Sequence, residues 1–225
     1  MILITGTPRS GTHYTAALLQ ALGQRVLHEA VDVDGAVSWK HIGEGIFHVP
    51  ERNRTTHISD PGFTIILHQV RDPLNSISSM QTLRECTWEF MARHIDLDMD
   101  QPVPIRAMQC WIGWNELAER KASWRYRIED LKMLFPEFLS HLNLPEQPLP
   151  ALANTSRESR VERFTPLTWG NLLHADEALA HRTAEIAVRY GYEIPDLSKV
   201  VKAPCPLHVR KPSRLKRALK TIFPF

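Results

Sequence analysis

The residues of this sequence with the clearest chemical meaning lie near its start, in a loop bounded by two glycines. The run Gly6-Thr7-Pro8-Arg9-Ser10-Gly11 follows an apolar stretch and precedes one rich in Ala and Leu, which predicts a strand, a loop and a helix. The helix start presents unpaired backbone N–H groups and the positive end of the helix dipole. Glycine at both ends lets the backbone approach a ligand closely. The loop therefore predicts a site for phosphate or another anion.

The loop differs from the Walker motif of ATP-binding proteins at one functional position. In that motif the second glycine is followed by Lys and then by Ser or Thr, whereas Gly11 is followed by Thr12 and His13. A cation is present instead inside the loop, at Arg9. We therefore expect an anion site in which Arg9 supplies the positive charge.

A second candidate anion site follows the apolar run at residues 63–70. Arg71 stands at the end of this predicted strand, and Pro73 starts a helix that contains Ser79. Arginine can bind a phosphate through two N–H groups, and a serine hydroxyl can add a third hydrogen bond. Because ligands of parallel sheets lie at the carboxyl ends of the strands, we expect Arg71 and the loop at the same edge.

The wider pattern alternates short strands with longer helices. Strands are predicted at residues 2–5, 25–28, 63–70 and 124–128, and helices at residues 12–22, 74–84, 86–94, 104–122, 130–142, 168–173 and 176–190. This alternation predicts an α/β fold of three layers, α/β/α, with a central, mostly parallel sheet like that of P-loop NTPases. Residues 31–61 carry no clear pattern, so we expect a long irregular connection there.

Composition favours one domain in a reducing compartment. A chain of 225 residues that is 43% hydrophobic can bury one core, and we assign residues 1–201 to it and residues 202–225 to a tail. Three cysteines without a C-x-x-C pair predict neither a disulfide framework nor a zinc site. No secretory leader precedes the first strand and no apolar run is long enough to span a membrane, so we expect a cytoplasmic protein.

The tail carries most of the positive charge. The net charge is +2, but residues 202–225 hold seven Lys or Arg and no acid, so the remainder stands at −5 (2 minus 7). Leu215, Leu219 and Ile222 recur at helical spacing and make the tail a basic amphipathic pattern. That pattern is typical of a helix packed on its domain and also of peripheral contact with an anionic membrane. The acidic body argues against nucleic acid as the main partner.

Together, the two anion motifs resemble those of sulfotransferases that use 3′-phosphoadenosine 5′-phosphosulfate (PAPS), in particular the bacterial and Golgi type. The family's 5′-phosphosulfate loop reads P-[KR]-[ST]-G-[ST]-T, and the run Pro8-Arg9-Ser10-Gly11-Thr12-His13 departs from it only at His13. The family's 3′-phosphate motif has Arg followed eight positions later by Ser, as in Arg71 and Ser79. A weaker likeness joins residues 126–131 to the family's Y-E-D-L strand end.

The resemblance implies roles for particular residues. It implies that Glu29, which follows the second predicted strand, is the catalytic base and that Arg9 stabilises charge in the transition state. His28 is the rival base, because cytosolic members of the family use a histidine. The R-K-G element has no clear counterpart, and Arg157 or Arg160 could replace it. The implied PAPS-binding residues are Pro8, Arg9, Ser10, Gly11, Thr12, His13, Tyr14, Arg71 and Ser79, with Tyr14 against the adenine, and no metal is implied.

The function implied is transfer of a sulfuryl group from PAPS to a hydroxyl or amine of an acceptor. The resemblance alone favours a glycan or glycolipid as the acceptor. Two alternatives remain open: a P-loop, kinase-like phosphotransferase that uses ATP and magnesium, and a non-catalytic nucleotide-binding module. The sequence does not predict the oligomeric state.

Overall fold

A computed structural model describes residues 1–152 and 164–206 and places five parallel strands in one sheet. These strands are β1 (Ile2–Thr5), β2 (Val26–His28), β3 (Gly35–Val37), β6 (Ile65–Val70) and β7 (Trp124–Arg127). Their order across the sheet is β2-β3-β1-β6-β7. A separate antiparallel hairpin is formed by β4 (Gly45–Val49) and β5 (Arg54–Ile58).

Seven α-helices in the described ranges surround the sheet. They are α1 (Thr12–Ala21), α2 (Pro73–Met80), α3 (Glu85–Ala92), α4 (Val103–Lys121), α5 (Phe135–His141), α6 (Trp169–Ala175) and α7 (Glu177–Arg189). Short 3-10 turns lie at Lys40–Ile42, Pro50–Arg52, Ile128–Asp130 and Leu197–Lys199.

Helices cover both faces of the sheet, as β1 makes clear. All four residues of β1 are buried, and their side chains alternate between two hydrophobic cores. Ile4 belongs to a core that includes Leu18 of α1 and Phe138 of α5, whereas Leu3 belongs to a second core that includes Trp111 of α4. The prediction of a three-layer fold with a parallel sheet is confirmed.

Residues 31–61 are not the irregular connection that we expected. They contain β3, which lies between β1 and β2, and the whole β4–β5 hairpin. β3 is only three residues long and begins with glycine, so it forms no apolar run that sequence patterns can detect. The hairpin strand β4 alternates between half-buried and exposed residues over five positions, which is too weak a signal against its Pro- and Asn-containing turn.

The parallel arrangement brings five strand ends to one edge of the sheet. β1 leads into the glycine-bounded loop, β2 into Glu29, β3 into Ser38 and β6 into Arg71. β7 leads into Ile128 at the same edge. Residues far apart in the sequence are thereby placed around one cleft, as parallel topology predicts.

The start of the tail packs on α6. Asn171 Nδ2 donates hydrogen bonds to the carbonyl oxygens of Ala203 and Pro204, at 3.1 and 2.8 Å. The rest of the tail, with its predicted amphipathic pattern, lies outside the described residues, as do Arg157 and Arg160. None of the helices within residues 1–152 and 164–206 is long and apolar enough to cross a membrane.

Candidate active site

A cleft of about 990 Å³ lies at the carboxyl edge of the sheet. It is lined by the glycine-bounded loop, by the start of α1, by Glu29 and by Arg71 with Ser79 of α2. The sequence-predicted site residues that line it are Pro8, Arg9, Gly11, Thr12, His13, Tyr14, His28, Glu29, Arg71 and Ser79. Two anion motifs and both candidate bases therefore share one cavity.

The loop folds back on itself through two residues with positive φ. Arg9 has φ of 74° and Gly11 has φ of 96°, and the Ser10 N–H donates to the Thr7 carbonyl at 3.1 Å. Gly6 is needed for a different reason from the one that we expected. A Cβ on Gly6 would lie 2.1 Å from the Gln69 carbonyl oxygen, so glycine there allows contact with β6 rather than with a ligand.

Ser10 turns its side chain under the loop instead of into the cleft. Its side chain is fully buried, and neither its Oγ nor the buried Oγ1 of Thr7 has a hydrogen-bond partner among the described residues. The first backbone N–H groups of α1 also have no acceptor within the helix. Because these two hydroxyls are buried away from the cleft, the donors that the loop offers to an anionic ligand are the first N–H groups of α1.

Gln69 attaches the loop to the sheet. This fully buried residue of β6 donates from Nε2 to the Ser10 carbonyl at 2.8 Å. Its Oε1 accepts from the hydroxyls of Thr15 in α1 and Tyr126 in β7, at 2.5 and 2.7 Å. Sequence analysis missed Gln69, and the available signal was an amide next to His68 in a mostly apolar strand.

Arg71 lies directly beside the loop. Its Nη1 donates to the Arg9 carbonyl at 2.9 Å, and its own carbonyl accepts from Trp111 Nε1 at 3.3 Å. Asp72 then caps α2 by accepting from the Asn75 N–H at 2.8 Å. This cap fixes the start of the helix that carries Ser79, so the second candidate anion site adjoins the first.

Glu29 is held in an unusual conformation immediately after β2. Its backbone φ is 62°, a region that costs a glutamate about 1 kcal/mol or more. Its carboxylate accepts from Ser38 Oγ at 3.1 Å and from the Trp39 N–H at 3.4 Å. Lys40 Nζ donates to the Glu29 carbonyl at 3.1 Å and lies 3.6 Å from Oε2. These contacts from the segment after β3 determine where the carboxylate points.

Burial controls the ionisation of Glu29. Only 19% of its side chain is exposed, and this burial raises its pKa to about 7. The charge of Lys40 and the hydrogen bonds from Trp39 and Ser38 act in the opposite direction and keep the pKa from rising further. A carboxylate that titrates near neutral pH is well suited to accept a proton from a substrate.

His28 and His13 extend this group of side chains. His28 Nε2 lies 3.1 Å from Thr12 Oγ1 and 3.5 Å from Glu29 Oε1. The exposed ring of His13 lies with its centroid 5.1 Å from that of His28. His13, at which the loop departs from the family pattern, is thus in contact with the candidate base His28. His28 in turn contacts the other candidate base, Glu29.

The strand end at residues 126–131 has a structural role beside the cleft. Ile128 lies next to the loop, since a Cβ on Gly11 would be 3.4 Å from its Cγ1. Glu129 accepts from the Asp72 N–H at 3.1 Å and from the Tyr192 hydroxyl at 3.0 Å. Glu129 therefore helps to fix the turn after Arg71.

We predict that Glu29→Gln changes how stability depends on pH. The pKa of Glu29 rises from 4.5 to about 7 on folding, so the folded protein binds its proton more tightly and the wild type loses stability as pH rises across this range. The glutamine variant lacks this loss. We expect urea unfolding to show that, from pH 5 to pH 8, the unfolding free energy of the variant increases relative to that of the wild type by on the order of 2 kcal/mol.

The matched control is Glu185→Gln, whose side chain is 69% exposed and does not line the cleft. It should leave the pH dependence of the unfolding free energy unchanged. A Glu29→Gln variant that parallels the wild type at both pH values would contradict a buried, proton-binding Glu29.

No protein-family model matches the chain, and a comparison with curated proteins gives no match. The chain is similar to several solved structures, among them the following two. A sulfotransferase domain from the curacin biosynthetic pathway has 14% identity and a TM-score of 0.47, over 87% of this chain and 98% of that one. Mouse sulfotransferase SULT7A1, complexed with PAP, has 14% identity and a TM-score of 0.35, over 88% of this chain and 79% of that one. Both of these proteins are sulfotransferases.

Proposed function

We propose that this protein transfers a sulfuryl group from PAPS to a hydroxyl or amine of an acceptor. The observation that carries this proposal is that the Glu29 carboxylate shares one cleft with the Arg9 loop and with Arg71 and Ser79. A group that can accept a proton thus lies beside two sites suited to anions. That combination fits a donor with a phosphosulfate at one end and a phosphate at the other.

The donor would be held by the two anion motifs. The loop N–H groups and Arg9 suit the 5′-phosphosulfate, and Arg71 with Ser79 suits the 3′-phosphate. Bound PAPS supplies a sulfuryl group whose bond to the 5′-phosphate oxygen is cleaved in the reaction. Such transfer depends mainly on positioning and on stabilising charge on oxygens. Arg9 Nη2 donates to the Thr82 carbonyl at 3.4 Å, which orients its guanidinium within the cleft.

Glu29 would act as the base toward the acceptor. As the acceptor oxygen bonds to sulfur, the hydroxyl proton passes to the Glu29 carboxylate, and the bond from sulfur to the phosphate oxygen breaks. Lys40 stabilises the ionised form that must be present before transfer. We favour Glu29 over His28 because Ser38, Trp39 and Lys40 all hold its carboxylate, while His28 Nε2 faces Thr12 and Glu29.

Nucleotide preference separates this function from a kinase-like one. We expect 3′-phosphoadenosine 5′-phosphate (PAP), the product that PAPS leaves after transfer, to raise the melting temperature by several degrees without added metal. A ligand that binds the folded state and not the unfolded state stabilises the folded state by mass action. ATP with magnesium should give a smaller shift, because no lysine follows Gly11 to bind the outer phosphates. A larger shift with ATP and magnesium would overturn the proposal in favour of a phosphotransferase.

The Glu29→Gln variant tests the catalytic step. It should lower turnover with radiolabelled PAPS by about 100-fold or more, as expected on removal of a general base. Its affinity for PAP should stay within about twofold of the wild type, since the carboxylate serves the acceptor. The exposed Glu185→Gln variant is the control and should keep full turnover, because Glu185 does not line the cleft. A wild-type protein that binds PAP but transfers sulfate to no acceptor would contradict the proposal and support a non-catalytic nucleotide-binding module.

Ser79→Ala tests the assignment of the 3′-phosphate site. Losing one hydroxyl donor to a charged group should weaken PAP binding about tenfold. Binding of adenosine 5′-phosphate, which lacks the 3′-phosphate, should not change. Ser76→Ala is the control, because Ser76 is buried in the same helix and does not line the cleft. Equal weakening of both nucleotides would place Ser79 elsewhere on the ligand.

A further inference from the structure

One side of the cleft is used by neither anion motif. It begins at Trp39, whose N–H contacts Glu29 Oε1 at 3.4 Å. The Trp39 ring packs edge-on against Phe47 of the hairpin, with centroids 5.8 Å apart. This side therefore starts at the candidate base and extends toward the hairpin.

The hairpin presents one of its two faces to the cleft. Phe47 and Val49 of β4 are half-buried and line the cavity. Their neighbours in the strand, Ile46 and His48, are exposed. Ile46 is 57% exposed. This is the period of two expected for a strand with one face on a ligand site.

The connection from α2 to α3 also contributes to this side. Leu83 and Cys86 line the cavity and are at least partly buried, and Thr82, Arg84 and Thr87 of the same segment line it with them. Arg84 Nη1 lies 3.9 Å from Glu51 Oε2 at the turn after β4, which places the connection next to the hairpin. We call Trp39, Phe47, Val49, Leu83 and Cys86 together the apolar wall.

The cations next to the apolar wall have partners. Lys40 Nζ contacts Glu29 and lies 5.0 Å from the centre of the Phe47 ring. Arg84 contacts Glu51 with both side chains about half exposed or more. A sugar brings several hydroxyls, each costing about 1–3 kcal/mol if it is buried without a partner. A hydrocarbon body instead gains about 25 cal/mol for each Å² that it buries on the wall.

Building on the proposed function, we propose that the acceptor is an apolar alcohol, whose hydrocarbon or aromatic body lies on the apolar wall and whose hydroxyl faces Glu29. The reaction then gives a sulfate monoester of that alcohol and PAP, with the hydroxyl proton left on Glu29. This acceptor class replaces the glycan that the family resemblance alone favoured.

The test compares 2-naphthol with N-acetylglucosamine, both as acceptors of radiolabelled sulfate and as ligands of the PAP-saturated protein. We expect 2-naphthol to bind in calorimetry and to be sulfated with kcat/KM about 100-fold higher, a preference that apolar burial on this scale can supply. Calorimetry with PAP alone reports on the proposed function, and calorimetry with 2-naphthol reports on the wall.

Phe47→Ser and Ile46→Ser form a matched pair on adjacent residues of β4. The first should raise the KM and the Kd for 2-naphthol about tenfold or more and leave PAP affinity unchanged, while the second should change neither. Val49→Thr keeps the shape of its side chain and should raise the KM a few-fold, so the wall can be tested even if Phe47→Ser unfolds.

Three results would overturn the acceptor class. They are a kcat/KM for N-acetylglucosamine equal to or above that for 2-naphthol, no 2-naphthol binding to the PAP complex, and equal effects at Phe47 and Ile46. A protein that does not bind PAP but binds 2-naphthol through Phe47 would refute the proposed function and leave the apolar wall as a ligand site.

Discussion

The site depends on the hydrogen bonds of one buried amide. The Gln69 side chain forms hydrogen bonds with Ser10 of the loop, Thr15 of α1 and Tyr126 of β7. A single buried side chain therefore connects three elements to β6. Buried amides of this kind specify a geometry because any displacement leaves polar atoms unpaired. With the loop fixed to β6, Arg71 at the end of the same strand can reach the Arg9 carbonyl, which holds Arg71 next to the loop.

Four residues other than glycine have positive φ among the described residues: Arg9, Glu29, Asn53 and Asn143. Of these, Arg9 and Glu29 line the cleft, whereas the two asparagines do not. Asparagine tolerates this region, but arginine and glutamate do not. The two residues that occupy it at a cost are the two for which we propose roles in the chemistry. Contacts from Lys40 and the packing of the loop on β6 offset that cost, as expected where function rather than stability determines a conformation.

The two ends of the cleft differ in the chemistry that they offer. The end near α1 and α2 presents backbone donors, arginines and a serine, whereas the end beyond Glu29 combines aromatic and aliphatic side chains with Lys40 and Arg84. Glu29 lies where the two meet, partly removed from water. Burial raises the pKa of Glu29 and the charge of Lys40 lowers it, so both the protonated and the ionised carboxylate are populated near neutral pH.

Sequence alone determined the elements whose signals are local. Short apolar runs and fixed spacings predict the strand of residues 2–5, a strand at 63–70 that the structure shortens to 65–70, the loop, the pair Arg71 and Ser79, and the place of Glu29 after the second strand. Tertiary structure decided the rest. β3 is too short to detect, yet its pairing between β1 and β2 brings Ser38 and Lys40 to Glu29. Gln69 and Phe47 likewise gain their roles from partners distant in the chain. Contacts of this kind depend on strand pairing and burial, which no local pattern encodes.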